Sequence, residues 1–265
     1  MLYCSVNYQA VTNISCQNRG LAYGDGIFTT GKVVNGQLEL LPQHLKRLQN
    51  ACKGLGLKAP NFTELSDNIK KSVKNYPLAV LKVMITAGVG GRGYSREGIE
   101  KPTIIISVFN FPKHYIHWQQ KGIHLGISEL QLGLNPMLAG IKHLNRLEQV
   151  LIRQELDKRV EDDLLITDIN GDIIETSCAN VFWKMNGNWQ TPCISDAGIA
   201  GLMRAEILNT LDDVQIVKAK LIDFDDVESM FICNSVMGIV PINEYNSVCL
   251  SLRDVATIRT RLNLS

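Results

Sequence analysis

Three Asn-Gly pairs constrain this chain more than any other local feature. Asn35-Gly36 separates FTTGKVV from QLELL, Asn170-Gly171 separates LLITDI from DIIETS, and Asn186-Gly187 separates ANVFWKM from NWQTP. Asn-Gly readily supplies two consecutive residues at positive φ, the backbone twist that a two-residue antiparallel hairpin requires. All three pairs lie between strand-like runs, so the sequence predicts three tight hairpins and a fold rich in antiparallel sheet. Further strands are expected at Val80–Thr86, Thr103–Phe109, Ile123–Ser128 and Ser229–Cys233, which are rich in Ile, Val and Phe.

Helical spacing alternates with these runs. Leu45, Leu48, Ala51, Cys52 and Leu55 share one face of Gln43–Leu55, and Leu65, Ile69 and Val73 share one face of Phe62–Val73. Leu147, Val150, Leu151 and Leu156 recur within Asn145–Leu156, and Ile207, Leu208 and Leu211 within Met203–Leu211. A short helix is expected around Leu252–Leu262. The mixture places the chain in the α/β (α+β) class. Phe111-Pro112-Lys113-His114-Tyr115 has no clear period. It suggests an N-terminal α/β domain over residues 1–112, a linker over 113–120 and a second domain over 121–265.

Composition matters here for what it excludes. Lys+Arg 27 against Asp+Glu 26 gives a formal charge of +1, so no general basic field exists to hold nucleic acid or an anionic membrane. Apolar residues at 45% of 265 can build a substantial core. No stretch approaches the roughly 18–20 apolar residues of a membrane span. The opening MLYCSVNYQAVTN lacks a basic segment followed by an apolar run, so no secretory signal is expected. Seven scattered cysteines with no CxxC and no His/Cys cluster argue against a disulfide framework or a metal site. A reducing cytoplasm fits them best, with most thiols expected in the core.

Residues 88–93, Gly-Val-Gly-Gly-Arg-Gly, match a dinucleotide-binding pattern and follow a strand. That pattern works only if a helix starts there, so that its amides face a pyrophosphate. Here Tyr94-Ser95-Arg96-Glu97-Gly98 leads to Pro102 and another strand. A flexible loop carrying Arg92 and Tyr94 is the better expectation. It is either a closure over an anionic substrate or a solvated glycine turn.

Four other places carry candidate chemistry. Lys142 follows the apolar run Leu138-Ala139-Gly140-Ile141, and a lysine held against apolar neighbours can act as a nucleophile toward an aldehyde cofactor. Glu175 ends an apolar strand, where a carboxylate could pair with a protonated ring nitrogen. Arg47 has the planar fork suited to phosphate. Gly198-Ile199-Ala200-Gly201-Leu202-Met203-Arg204 opens a helix whose free amides could bind the same group. Singly, each has an ordinary explanation as a solvated charge or a turn. Together they make the inventory that pyridoxal phosphate requires.

Over nearly its whole length the chain resembles the fold-type IV family of pyridoxal-phosphate enzymes. That family includes branched-chain and D-amino acid aminotransferases and the aminodeoxychorismate lyases. The stretches that carry the resemblance are Tyr23-Gly24-Asp25-Gly26-Ile27-Phe28-Thr29-Thr30, His44-Leu45-Lys46-Arg47-Leu48, Gly90-Gly91-Arg92-Gly93-Tyr94-Ser95, Ala139 through Gln149, Glu175-Thr176 through Asn180, and Gly201-Leu202-Met203-Arg204. Lys142-His143-Leu144-Asn145-Arg146 and Phe28-Thr29-Thr30 resemble the lyases, since many relatives have Phe-Glu at the latter.

The resemblance implies an N-terminal antiparallel-sheet α/β domain and a barrel-like C-terminal domain that carries the cofactor lysine. It implies that Lys142 is the catalytic residue, bonds to pyridoxal 5'-phosphate and shuttles protons, and that Glu175 keeps the pyridine nitrogen protonated. Arg47 and the amides of Leu202 and Met203 would bind the phosphate, joined by Asn234 and Ser235. Arg146 would approach the ring oxygen, and Asn180 would complete the cofactor set. Many relatives have Gly-Ile-Thr-Arg where this chain has Gly201-Leu202-Met203-Arg204, which removes a hydroxyl but keeps the amides. Arg92, Tyr94 and Thr29 would bind the substrate. The implied reaction converts 4-amino-4-deoxychorismate to 4-aminobenzoate and pyruvate, a step toward folate, in a homodimer. The alternative is transfer of the amino group of D- or branched-chain amino acids.

Overall fold

In a computed structural model, residues 1–211, 213–221 and 226–262 are described. They fall into two compact units, Met1–Pro112 with Lys142–Asn145, and Lys113–Ile141 with Arg146–Ser265.

The first unit is built on a sheet ordered β1-β5-β4-β2-β3, antiparallel throughout. Its strands are β1 (Tyr3–Val6), β2 (Gly26–Val34), β3 (Gln37–Leu38), β4 (Leu78–Thr86) and β5 (Thr103–Asn110). Asn35 (φ 50°) and Gly36 (φ 75°) form the β2–β3 turn, so Val34 pairs with Gln37. Side chains alternate along β2. Ile27, Thr29, Gly31 and Val33 are buried, while Phe28, Thr30 and Lys32 lie on the opposite face. Helices α2 (Leu41–Gly54) and α3 (Phe62–Val73) contribute Leu48, Ala51, Cys52, Leu65, Ile69 and Val73 to the core. Asn61 caps α3, accepting from the amides of Thr63 and Glu64. A short α1 (Arg19–Tyr23) was not anticipated; five residues are too few to show a period.

The second unit begins with α4 (His114–Lys121), which occupies most of the stretch read above as a linker. Its sheet holds β6 (Ile123–Ile127), β7 (Asp163–Thr167), β8 (Ile173–Thr176), β9 (Asn180–Met185), β10 (Asn188–Pro192), β11 (Gln215–Val217), β12 (Ser229–Asn234), β13 (Gly238–Tyr245) and β14 (Val248–Cys249). The order is β11-β10-β9-β12-β13-β6-β7-β8, with β14 on β13. The two ends of that order meet. Ile173 N–H donates to Ala219 O at 2.8 Å, and Asp172 bridges Lys220, so the sheet curls into a barrel. Ile123, Leu125, Leu165, Val181, Trp183, Met230, Ile232, Val240 and Ile242 form one buried cluster of this unit. Trp183 satisfies its indole N–H on Gln190 Oε1 at 2.9 Å.

Helices α6 (Leu202–Thr210) and α7 (Arg253–Arg261) pack Met203, Ile207, Val255 and Ile258 against the stacked pair Phe182 and Phe231. Helix α5 (Leu147–Leu156) buries Ile152 and Leu156 in a cluster with Leu132, Leu164, Ile166 and Ile174. The spacing groups Leu147, Val150, Leu151 and Leu156, of which only Leu156 is buried; the first three face outward. Those three are 78%, 51% and 53% exposed.

Two of the Asn-Gly pairs behave as the sequence predicts. Asn186 (φ 51°) and Gly187 (φ 76°) join β9 to β10. The third makes a hairpin of a different kind. Only Gly171 has positive φ, Gly171 N–H donates to Asp168 O, and Asp168 N–H donates to Asp172 O. This is a three-residue loop with a glycine bulge, stabilised because Asp168 Oδ1 accepts from the amides of Asn170 and Asp172. The cysteine expectation also needs correction. Only Cys52 and Cys233 are buried, whereas Cys16, Cys178 and Cys249 lie exposed in loops, turns and an edge strand. Among the described residues, no helix is long and apolar enough to cross a membrane.

Candidate active site

In the first unit, main-chain pairing sets the position of Lys142. Residues 142–144 run antiparallel to the start of β2. Phe28 N–H donates to Lys142 O at 2.9 Å, Leu144 N–H donates to Gly26 O at 3.0 Å, and His143 pairs with Ile27. Because His143 lies opposite Ile27, strand alternation sends Lys142 to the face of β2 that carries Phe28. Its Nζ sits 4.6 Å from the centre of the Phe28 ring. An aromatic face accommodates an ammonium and also walls it from water.

Thr29, one residue on, points the other way. It is buried, with Oγ1 2.6 Å from Nδ1 of buried His44 on α2. Burial, with the charge of Arg47 in support, pushes His44 down to about 3, so its ring is neutral at pH 7. Arg47, one helical turn from His44, is half-buried, and burial lowers it to about 10. Thr29 is therefore placed with His44 and not on the Lys142 face.

The glycine loop is held more firmly than its composition suggested. Arg19 donates to the carbonyls of Gly93, Tyr94 and Ser95 and to Asp25. Arg96 also grips Asp25 and donates to Leu55 O. Burial pushes Asp25 up, but the hydrogen bonds and charges of Arg96 and Arg19 outweigh it and leave the carboxyl below its usual value. Arg92 is exposed and Tyr94 is 89% exposed, touching Tyr23. No helix follows Gly93, so the dinucleotide motif is structurally absent. Arg19, Asp25 and Arg96 escaped the sequence reading because their partners lie up to 76 residues away.

In the second unit, a second set converges on the stretch before α6. Glu175, only 4% exposed, accepts the Ile199 N–H through Oε2 at 2.9 Å. Asn180 donates to Ile199 O at 2.9 Å. Gly140 pairs with the same segment, donating to Gly198 O and accepting from Ala200 N–H. A Cβ on Gly201 would fall 2.0 Å from Asn180 Oδ1, so a larger residue here would displace the Asn180 side chain. Gly201 caps α6 without a side-chain hydrogen bond, and no acid lies in the first turn. The amides of Leu202 and Met203 thus open a helix that no side chain caps, the donor arrangement that suits phosphate. Arg204 turns inward to Pro192 O.

Arg146 caps α5 and donates to Ile141 O at 3.0 Å. Burial lowers its proton affinity, opposed by the charges of Glu175 and Glu148. Asn234 and Ser235 lie at the β12–β13 turn. Asn234 Oδ1 accepts from the amides of Val236 and Met237, and its NH₂ donates to Cys178 O, so its side chain shapes the turn. The structure thus groups Glu175, Asn180, Arg146, Leu202 and Met203 within one unit and Lys142, Phe28, Thr29 and Arg47 within the other. Among the described residues, no group of three His, Cys, Asp or Glu could hold a metal ion.

The donor set fits pyridoxal phosphate. The first unit supplies an amine on an aromatic wall; the second supplies a buried carboxylate and a helix start with no acid in its first turn.

Comparison with known proteins agrees with this chemistry. Residues 26–245 match the family model described as amino-transferase class IV. The chain is 37% identical over 242 residues to an aminodeoxychorismate lyase of Vibrio harveyi, covering 90% of this chain and 89% of that one. The crystal structure of 4-amino-4-deoxychorismate lyase from Pseudomonas aeruginosa superposes with a TM-score of 0.88 at 30% identity, over 97% and 98% of the two chains. The branched-chain amino acid aminotransferase of Escherichia coli shares the fold, with a TM-score of 0.83 at 19% identity over 94% and 88%. By the extent of the family match and the identity to its relatives, this chain belongs to the class IV amino-transferase family.

Proposed function

We propose that the protein is a pyridoxal-phosphate-dependent lyase that converts 4-amino-4-deoxychorismate to 4-aminobenzoate and pyruvate. The observation that carries the reading is the delivery of Lys142 onto the Phe28 ring by pairing with β2, in a chain that shares 37% identity with a lyase of that activity. Lys142, Arg47, Glu175, Arg146, Asn180, Ser235 and the amides of Leu202 and Met203 are the residues that would hold the cofactor. When bound, the cofactor supplies an electron sink that acidifies the C–H bond beside the substrate nitrogen.

The protein's own residues do the rest. Lys142 would hold the cofactor and, as a free amine, would take the proton from the substrate carbon that bears the amine. Loss of that proton expels the enolpyruvyl oxygen, and formation of the aromatic ring drives the departure. The proton held on Lys142 would pass to the methylene carbon of the departing enolpyruvate, which becomes pyruvate. Glu175 accepts the Ile199 amide through Oε2, which orients the carboxyl that would meet the pyridine nitrogen.

Two finer features belong to the same proposal. The exposed stripe Leu147, Val150 and Leu151 on α5 supports a homodimer, because a contiguous apolar face of this kind is costly to leave in water. Exposed thiols outside any disulfide at Cys16 and Cys249 support a reducing compartment, the cytoplasm.

The test is direct. Pyruvate and 4-aminobenzoate are assayed from synthetic aminodeoxychorismate with the unsubstituted enzyme and with Lys142→Ala. The reading requires both products from the first and none above background from the second. Release of keto acids from D-alanine or branched-chain amino acids, without 4-aminobenzoate, would instead assign an aminotransferase.

A further inference from the structure

Strand β4 reads LAVLKVMIT, and its one charge is Lys82 at the centre. The strand is paired on both sides, Lys82 facing Thr30 on β2 and Ser107 on β5. Register puts Lys82 on the same face as Phe28, whose partner on β4 is Met84. Its Nζ sits 4.9 Å from the centre of the Phe28 ring. Lys142 reaches the same ring from the other edge of β2, at 4.6 Å. Two ammonium-bearing side chains from segments 60 residues apart therefore share one aromatic wall within a single structural unit.

A cation at the middle of an apolar strand is an expensive choice. Lys82 is half-buried, no carboxylate pairs with it among the described residues, and burial lowers its proton affinity. The aromatic contact offsets part of that cost, but an anion would offset more. The dicarboxylate candidates named from sequence do not occupy this place. Arg92 and Tyr94 sit on the clamped loop with their side chains in solvent, and Thr29 faces His44.

We propose that Lys82 is a substrate-binding cation, whose ammonium receives a carboxylate of the dicarboxylate substrate while Lys142 takes the proton from its amine-bearing carbon. This rests on the lyase reading and adds a residue to it. D-Alanine or a branched-chain amino acid brings one carboxylate, attached to the reacting carbon. The lyase substrate carries its carboxylates remote from the reacting amine, and a second cation on the Lys142 face matches that need.

The test uses the cofactor-loaded enzyme and the variants Lys82→Met and Lys82→Arg. Chorismate, which keeps both carboxylates and has a hydroxyl in place of the amine, is the binding probe, read by calorimetry. Lys82→Met is expected to raise the KM for aminodeoxychorismate and the Kd for chorismate about tenfold or more, with kcat within about threefold. Lys82→Arg is expected to recover most of the loss. Inhibition by pyruvate and by 4-aminobenzoate then identifies the carboxylate concerned, since only one of them should weaken. Unchanged KM and chorismate affinity in Lys82→Met would overturn the proposal. Should that variant not fold, chorismate protection of Lys82 from an amine-acylating reagent, mapped by peptide mass spectrometry in the unsubstituted enzyme, decides the matter, and equal labelling with and without chorismate counts against it. The two readings fail separately. An unsubstituted enzyme that makes no 4-aminobenzoate refutes the lyase, whereas an active enzyme indifferent to Lys82 refutes only this inference.

Discussion

His44 makes a measurable link between the Thr29 side of β2 and acid stability. Its ring is fully buried, its Nδ1 is engaged with Thr29, and its Nε2 has no hydrogen-bond partner. Burial and the charge of Arg47 hold its proton affinity at about 3, against an ordinary histidine value of 6.5. Between those two values the unfolded chain binds a proton that the folded protein does not. Stability therefore falls as pH drops through that window, by about 1.4 kcal/mol per unit. From pH 6.5, where the unfolded ring is already half protonated, down to pH 4.5 the loss is about 2.3 kcal/mol.

His44→Asn keeps a polar group near the Nδ1 position for Thr29 and removes the titration. It leaves a cavity, which costs stability equally at both pH values and cancels in the comparison. Urea unfolding of both proteins at pH 7.0 and pH 4.5 is the assay. The unsubstituted protein should lose about 2–3 kcal/mol more than the variant across that range. Equal losses in the two proteins would refute the account and show that His44 protonates in the folded state at ordinary pH.

Two further outcomes are expected. Asp25→Ala leaves Arg19, almost fully buried, facing no carboxylate, and should destabilise the protein by about 3–5 kcal/mol in denaturant unfolding, a larger effect than any exposed pair such as Arg153–Asp157 can give. Gly201→Ala drives a methyl against Asn180 Oδ1 and displaces that side chain, which holds Ile199 O, or the start of α6; bound pyridoxal phosphate, followed by its visible absorbance during dialysis, should be lost at least about tenfold faster, and retention like that of the unsubstituted protein would dissociate this helix start from phosphate binding.

The elements legible in the sequence are those whose cause is local. The Asn35-Gly36 and Asn186-Gly187 turns follow from residues that tolerate positive φ, whatever surrounds them. Helix α3 matches its apolar spacing residue for residue because Leu65, Ile69 and Val73 make one unambiguous stripe. The Asn170-Gly171 turn shows the limit: Asp168 captured two amides and selected a wider loop from the same dipeptide. In α5, the spacing admitted two stripes, and only the packing of Ile152 and Leu156 against Leu164 and Ile166 decided which faced inward.

The same division runs through the site. The sequence alone determined the inventory of Lys142, Glu175, Arg47 and a glycine-led helix, because residue type limits the chemistry a side chain can perform. Tertiary structure decided which of these share a face. Pairing of residues 142–144 with β2 put Lys142 on the Phe28 ring and, by the two-residue period of a strand, sent Thr29 to His44. It also gave Lys82 its place opposite Thr30, which nothing within LAVLKVMIT could specify. Local sequence fixes backbone angles and chemical type, whereas burial, pairing register and the company a charge keeps depend on segments that folding alone brings together.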